Sequence, residues 1–116
     1  DLVEKRTQLG RKVAFLQLLG VAIVRIEQIA PLPYEAVKQQ LSQYPNAQIC
    51  WAQEEHRNQG AWTYIKERIE LLMEHQKRAG QIRYIGRKIS GSTAVGSLNT
   101  HKLQLTELLG DAFKTI

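Results

Sequence analysis

Glu54, Glu55 and His56 are three consecutive residues whose side chains could do acid–base chemistry. A matched acid and base must both face one substrate, whereas adjacent residues of an extended segment point to opposite faces. Neither Cys50 nor a nearby serine forms a nucleophile–base arrangement with His56. A small hydrolase built on Glu54 and His56 is therefore the weakest alternative, and the pattern favours a structural or surface role.

Other ligand-binding residue types are sparse or badly spaced. His56, His75 and His101 share no metal-ligand spacing. The lone Cys50 excludes an internal disulfide and a cysteine cluster, and its apolar neighbours predict a small core residue in a reducing compartment. Three glycines within 86–96 follow a strand pattern without a helix directly behind them, unlike a phosphate-binding loop. We expect no catalytic, cofactor-binding or metal-binding residue in this chain.

The elements that must position these residues alternate between helix and strand. Apolar runs predict strands at 21–26, 48–53 and 81–86, and the first is nearly continuous in β-branched residues. Helices between successive strands predict a parallel sheet with right-handed connections. The expected fold is α/β, a three-layer α/β/α sandwich with a small, mostly parallel sheet. Residues 1–20 are expected to form a linker helix and an apolar insert, and residues 21–116 the α/β domain.

Helix boundaries follow from the capping residues. One helix is expected to begin near Pro33, a second to run from Gly60 to about residue 79, and a last one to be capped by Asn99 or Thr100. We expect Asn58 to cap the second helix, Gly60 to permit a tight turn before it, and Gly80 to end it. The predicted buried stripe of the second helix is Trp62, Ile65, Ile69, Leu72 and Met73. That of the last helix is Leu105, Leu108, Leu109, Ala112, Phe113 and Ile116.

Parallel strands bring their carboxyl ends to one edge of the sheet, where ligands and neighbouring domains dock. Arg25, Gln28, Glu54 and Arg87 fall at or near these predicted ends. The mixture of cation, amide and carboxylate would suit an anionic, nucleotide-like effector or a domain interface. The interface is favoured, because polar residues are common at strand ends.

Composition limits the remaining function classes. The 116 residues, 43% of them apolar, suffice for one domain with a real core, and no run is long enough to cross a bilayer. The net charge of +5 would fit a basic RNA-binding module of the anticodon-binding kind. Against that alternative, the basic residues are interspersed with acids, and Trp51, Tyr84 and Phe113 are expected to be buried rather than to form a stacking platform.

Several segments, in order, resemble the C-terminal domain of 2-oxoglutarate dehydrogenase. They are residues 21–28 with Pro31 and Pro33, residues 44–47, residues 51–62, residues 83–87, residues 94–96 and Thr100-His101. The likeness covers residues 21–113, and His56-Arg57 resembles the eukaryotic members more than the bacterial ones. The departure is at 10–20, where the connection is longer and more apolar than the family usually has.

The resemblance implies a domain of the transketolase-like kind that supports a homodimer and its active-site domains. Thiamine diphosphate and Mg²⁺ would bind in the preceding domains, outside this fragment, for decarboxylation of 2-oxoglutarate and succinyl transfer to lipoyl. The implied partners are those preceding domains, the lipoyl-bearing second component and dihydrolipoamide dehydrogenase, with no membrane and no nucleic acid. The implied location is the mitochondrial matrix if the source is eukaryotic, which is favoured, and otherwise the cytoplasm. A nucleotide or acyl-CoA effector would contact Arg25, Gln28 and Arg87. Because the chain starts at Asp1 without a targeting segment, we expect a piece of a longer polypeptide.

Overall fold

A computed structural model describes residues 20–114 of the chain. In chain order these residues form helix α1 (Tyr34–Ser42), strand β1 (Cys50–His56), helix α2 (Trp62–His75), strand β2 (Arg83–Arg87) and helix α3 (Leu98–Ala112). The predicted apolar insert at 13–19 lies outside the described residues, and so does almost all of the predicted linker at 1–20. The division at residue 20 stays a prediction.

The two strands pair in parallel, with Cys50 opposite Arg83 and Ala52 opposite Ile85. Beyond Ala52 the register shifts, so that residues 52–56 of β1 run beside residues 85–87 of β2. Extra residues on one strand leave part of its backbone outside the ladder and redirect its side chains. The irregular stretch is residues 53–55, which contains both glutamates of the candidate acid–base group.

Helices cover both faces of this small sheet. Tyr84 on one face of β2 packs against Trp62 at the start of α2, with ring centroids 5.1 Å apart. The opposite face of β2 meets α3, where the Arg83 guanidinium lies 2.7 Å from the Asp111 carboxylate. Alternation along the strand puts neighbouring residues on different faces. The α/β class, with helices on both sides of a parallel sheet, is therefore confirmed.

The hydrophobic core lies on the α2 side of the sheet. Its buried members are Leu32, Val37, Trp62, Ile65, Ile69, Leu72, Met73 and Ile82. The predicted buried stripe of α2 is confirmed in full, and Ile65 is completely inaccessible to solvent. Burying a side chain of this size stabilises a fold by about 1.5–3 kcal/mol, so α2 is the helix that contributes most to the core.

The strand predicted at 21–26 is wrong, because the structure assigns no strand there. Ile23 and Val24 are about half exposed, while Ile26 packs against the core. A β-branched run favours extended backbone, but a strand exists only when a neighbouring strand satisfies its N–H and C=O groups. Within residues 20–114 no neighbouring strand pairs with this segment.

Both remaining strands are displaced toward the C-terminus relative to the predictions. The second was expected at 48–53 and spans 50–56, and the third was expected at 81–86 and spans 83–87. Cys50, predicted to be a core residue, is exposed. The predicted end of the second strand was too early because Glu54, Glu55 and His56, which were expected in a turn, belong to β1 itself.

Helix α2 ends five residues before the predicted Gly80. The N–H of Lys77 donates to the Glu74 carbonyl at 2.8 Å, and the N–H of Arg78 donates to the Met73 carbonyl at 2.9 Å. These two bonds form a Schellman motif, in which the residue after the cap adopts a left-handed conformation. That residue is Lys77, with φ of 55°. The predicted role of Gly80 is therefore wrong.

Side chains that follow α2 satisfy the C-terminal carbonyls of α1. Arg78 donates through Nη2 to the carbonyls of Leu41 and Tyr44, the second at 2.7 Å. Gln76 donates through Nε2 to the Lys38 carbonyl at 3.0 Å. These bonds fix α1 and the turn after it to the end of α2.

Helix α3 begins two or three residues earlier than predicted and faces the sheet with a different stripe. Its cap is Ser97, whose hydroxyl accepts from the Thr100 N–H at 3.5 Å, rather than Asn99 or Thr100. No α3 residue is buried. Within the described part of the predicted apolar stripe, Leu105, Leu109 and Phe113 are exposed, and Leu108 and Ala112 are half-buried. The sheet is met instead by polar residues of α3.

Among residues 20–114, no helix is long and apolar enough to span a membrane.

We predict that Lys77→Gly stabilises the last turn of α2. A left-handed residue with a Cβ is strained, whereas glycine adopts this conformation freely. The free energy of local opening of the last turn should therefore rise by about 0.5–1 kcal/mol. The matched control is Lys66→Gly, in the middle of the same helix, which should cost about 1 kcal/mol. Amide hydrogen exchange of α2 in the native polypeptide measures both. Equal losses for the two variants would contradict the left-handed assignment.

Candidate functional site at the carboxyl edge of the sheet

The side chain of Gln53 organises the junction between β1 and α2. Its Oε1 accepts from the Trp51 indole N–H at 2.9 Å and from the backbone N–H of Trp62 at 3.0 Å. The second bond satisfies one of the free N–H groups at the start of α2, because the cap residue, Ala61, offers no side-chain acceptor. One amide oxygen thus ties the strand to the first turn of the helix.

The amide nitrogen of Gln53 binds the turn between the two elements. Its Nε2 donates to the carbonyls of Gln59 at 2.8 Å, His56 at 3.0 Å and Glu55 at 3.3 Å. A single side chain therefore binds carbonyls on both sides of the turn, in addition to the turn's own bond from the Gln59 N–H to the His56 carbonyl at 2.8 Å. Sequence reasoning gave Gln53 no such role. Its position just before a polar turn was the available signal.

An aromatic pair and a cation lie beside this junction. The Arg57 guanidinium carbon is 5.1 Å from the centre of the Tyr84 ring and 5.8 Å from that of Trp62. Such cation–π contacts contribute about 0.5–1 kcal/mol at exposed sites. The Tyr84 hydroxyl donates to the Arg87 carbonyl at 2.7 Å. Burial raises the pKa of Tyr84, against the lowering influence of Gln53 and Arg57, so the hydroxyl stays a donor at neutral pH.

Two glycines allow these groups to approach. A Cβ built on Gly86 would lie 2.3 Å from the Tyr84 hydroxyl oxygen, so any larger residue there would displace the tyrosine. Gly60 has φ of 63°, and a Cβ there would lie 3.0 Å from the Glu55 Cβ. The turn that was expected at Gly60 therefore uses both the left-handed conformation and the missing side chain.

Asn58 connects the turn to the loop after β2. Its Nδ2 donates to the Ser90 carbonyl at 2.8 Å, and its Oδ1 accepts from the Ser90 N–H at 3.1 Å. Gln59 adds a bond from its Nε2 to the Ser92 carbonyl at 2.7 Å. The structure thus replaces the expected capping role of Asn58, because its amide is committed to the loop rather than to α2.

Arg87 is the buried cation of the edge, with only 5% of its surface exposed. Its Nε donates to the Glu54 carbonyl at 2.9 Å, and its Nη1 to Oε1 of Gln104 at 2.9 Å. Its Nη2 lies 3.2 Å from Nδ1 of His101. All three guanidinium nitrogens therefore have partners within the domain, and they join β1, β2 and α3.

Arg25 and Gln28 make local contacts in the segment before α1. Arg25 pairs with Glu27 at 3.3 Å, with both side chains more than 70% exposed. Gln28 donates to the Pro31 carbonyl at 2.6 Å. Because their segment is not a strand, Arg25 and Gln28 do not lie at the end of a parallel strand as Glu54 and Arg87 do. Their role as effector contacts stays a prediction.

The candidate acid–base residues are separated by the structure. His56 is 4% exposed, and its Nδ1 donates to the Lys88 carbonyl at 3.0 Å. Glu54 is exposed and borders a shallow groove of about 350 Å³, lined also by Ala52, Gln53, Leu105 and Leu108. Within residues 20–114, no group of three or more His, Cys, Asp or Glu side chains is placed to hold a metal ion. The arrangement joins β1, β2 and α3, and this groove lies open beside α3.

We predict that Gln53→Glu destabilises the β1–α2 junction by about 2 kcal/mol or more. The substitution keeps the size of the side chain, but it places a carboxylate oxygen against three carbonyls that now accept from the amide. The matched control is Gln48→Glu, an exposed position before β1. Urea unfolding and hydrogen exchange of residues 53–62 measure the difference. Similar stability of the two variants would refute the central role of Gln53.

Sequence comparisons identify relatives of this chain. Residues 1–113 match the protein family described as 2-oxoglutarate dehydrogenase C-terminal. The chain is 39% identical over 97% of its length to the mitochondrial 2-oxoglutarate dehydrogenase of Caenorhabditis briggsae. It is 46% identical over 79% of its length to that of Dictyostelium discoideum, and 39% identical over 80% to a probable 2-oxoadipate dehydrogenase complex component E1 homolog of the same organism.

The chain spans about a tenth of the length of these curated relatives, 10% of the nematode protein and 9% of the first Dictyostelium protein. The RNA-binding alternative gains no support from any of these similarities. The family match covers every element of the structure as well as the residues before them. The chain therefore belongs to the 2-oxoglutarate dehydrogenase C-terminal family.

Proposed function

We propose that this chain is the C-terminal domain of a mitochondrial 2-oxoglutarate dehydrogenase. That enzyme would use thiamine diphosphate and Mg²⁺ to decarboxylate 2-oxoglutarate and would transfer the succinyl group to lipoyl on the second component of its complex. The observation that carries the proposal is the family match over residues 1–113. The names of several relatives, which include the word mitochondrial, support a place in the mitochondrial matrix.

The domain's own contribution would be structural rather than catalytic. Mg²⁺ and a diphosphate need a set of oxygen ligands, and the described residues do not form one. Residues 20–114 therefore do not fit the cofactor, which would bind elsewhere in the polypeptide. The polar groups at the carboxyl edge form hydrogen bonds with one another, which is typical of a rigid connection between secondary-structure elements.

The outer face of α3 is the surface that we propose for packing against the preceding domains. Leu98, Leu105, Leu109 and Phe113 lie along one side of the helix and are between 38% and 66% exposed. Leu105 also lines the groove beside β1. An apolar stripe of this kind marks an interface. Its occupant would be the remainder of the polypeptide, since relatives have about nine-tenths of their length outside this region.

The enzyme would act as a homodimer, with the lipoyl-bearing component and dihydrolipoamide dehydrogenase as further partners. A nucleotide or acyl-CoA effector is also part of the proposal. Of the two arginines expected to contact it, Arg25 is the more exposed. Arg87 is a poor test of that idea, because its loss would also release α3. Arg25→Ala changes an exposed side chain and leaves the described hydrogen bonds intact.

The proposal predicts a native polypeptide several times longer than 116 residues, with turnover that depends on thiamine diphosphate and Mg²⁺. Purification from the source, followed by mass determination and an assay of 2-oxoglutarate decarboxylation, tests both points. A native chain near 13.3 kDa without such activity would overturn the proposal. In the same assay, an Arg25→Ala enzyme with unchanged effector response would remove the effector role.

The proposed α3 interface predicts that a lysine substitution has different effects on melting temperature at two leucines of nearly equal exposure. Leu109 on α3 is 49% exposed and Leu71 on α2 is 47% exposed. Leu109→Lys should lower the melting temperature of the native enzyme, because burial of a leucine is worth about 1.5–3 kcal/mol and a lysine cannot replace it. Leu71→Lys should leave it nearly unchanged. Equal effects in differential scanning fluorimetry would show that the α3 stripe is not the interface.

A further inference from the structure

One face of strand β1 is left open by the helices of residues 20–114. Cys50, Ala52 and Glu54 are all exposed. Trp51, which lies between the first two, packs against the hydrophobic core. Because side chains alternate along a strand, Cys50, Ala52 and Glu54 point to the opposite face of the sheet, the face on which α3 lies.

Helix α3 covers β2 rather than β1. Ile85 of β2 pairs with Ala52 in the ladder and is 5% exposed, whereas Ala52 itself is exposed. The arginines at the two ends of β2 both bind α3, which holds the helix over this strand. A layered α/β domain covers both faces of its sheet. The described helices therefore leave half of one face without a cover.

The open half of this face is the groove of about 350 Å³ beside α3. Residues 52–54 of β1 form its floor, and Leu105 and Leu108 of α3 form one wall. Its volume is at the small end of the range for ligand pockets, about 300–1,000 Å³. Such pockets bury most of a small ligand, and a shallow groove does not. A segment of polypeptide that crosses the sheet fits this shape better.

Residues 13–19 have the composition of a segment that covers such a face. Six of the seven are apolar, and Gln17 is the exception. A helix that is apolar on nearly every side is buried in a folded protein. These residues lie outside the described part of the chain, but the family match begins at residue 1 and includes them. They are therefore part of the same family domain as the sheet.

Gly20 marks the point at which a helix over residues 13–19 would end. It is a turn residue with φ of 78°. This left-handed conformation is the one that glycine commonly adopts directly after a helix. A Cβ built on Gly20 would meet no described atom within 4 Å, so backbone conformation rather than crowding accounts for the glycine.

The segment matches the open face in length and in charge. Seven helical residues rise about 10 Å, and the four steps of strand from Cys50 to Glu54 rise about 13 Å. A helix that runs antiparallel to β1 and ends beside Cys50 would bring Arg11 and Lys12 to the other end of the groove. The exposed carboxylate of Glu54 lies at that end. The two cations directly precede the apolar residues.

We infer that residues 13–19 dock as a helix in this groove, antiparallel to β1, and complete the layer that α3 begins. Their apolar side chains cover Ala52 and contact Leu105 and Leu108, while the cations before them lie beside Glu54. The inference concerns packing within the domain and goes beyond the proposed enzyme activity. Apart from Leu105, the apolar stripe of α3 stays available for the remainder of the polypeptide.

Thiol cross-linking in the full-length polypeptide tests this docking. In Leu16→Cys, a short bis-maleimide should join the introduced thiol to Cys50 of the same chain, as identified by mass spectrometry of the linked peptides. The matched control is Leu71→Cys, an exposed position on α2 at the other face of the sheet, which should give no link to Cys50. No link in Leu16→Cys would overturn the inference. A link between two copies, detected by mixing isotope-labelled and unlabelled protein, would overturn it in favour of a second copy as the occupant.

The alkylation rate of Cys50 in the same polypeptide provides an independent test. The docked segment should shield this thiol, and Leu16→Asp should raise its rate by about tenfold or more, which is the scale set by the burial of one leucine. The matched control is Leu103→Asp on α3, a leucine that is 61% exposed, which should leave the rate unchanged.

Two results of the alkylation test would overturn the inference. A fast rate in the unmodified polypeptide would show that the groove is open. A slow rate that Leu16→Asp does not change would assign the cover to the preceding domains. Neither readout depends on turnover, so failure of the docking and failure of the proposed enzyme activity are distinguishable.

Discussion

The amide of Gln53 is the interaction on which the described structure depends most. Strand β1 passes into α2 through a turn that has one backbone bond of its own, from the Gln59 N–H to the His56 carbonyl. Backbone groups left unpaired away from water cost about 1–3 kcal/mol each. Gln53 supplies an acceptor for the Trp62 N–H and a donor for the Gln59 carbonyl. Because Trp62 begins the helix that fills the core, the position of the core follows from this one side chain.

The two faces of the sheet are held by different kinds of contact. On the α2 face, apolar side chains such as Ile65 are fully buried. On the α3 face, the arginines Arg83 and Arg87 reach out from β2 to carboxylate, amide and imidazole groups. Polar contacts that use directed bonds fix the angle of α3 without covering its apolar stripe. The domain therefore keeps an apolar surface for other parts of a larger protein.

The helices could be predicted from the sequence because their patterns are local. The stripe from Trp62 to Met73 repeats at helical spacing and is buried as expected. The strands were harder, since a strand depends on its neighbour: residues 21–26 have a strong strand composition and no partner among residues 20–114. Polar residues inside β1 also hid its length, because the register shift removes regular alternation from 53–55.

The roles of single residues in the candidate site were also hard to predict from the sequence, because their partners are distant in the chain. The resemblance to the family pointed to segment 51–62, but it did not indicate which contacts the residues of that segment make. Gln53 acts within this segment, whereas Arg87 acts through Gln104 and His101, which lie 17 and 14 residues further along the chain. No local sequence pattern indicates that these residues are partners. Segment 51–62 is also where the hydrogen bonds of one side chain, the turn and the loop converge. The contacts of this joint therefore give a structural reason for the residue types of segment 51–62.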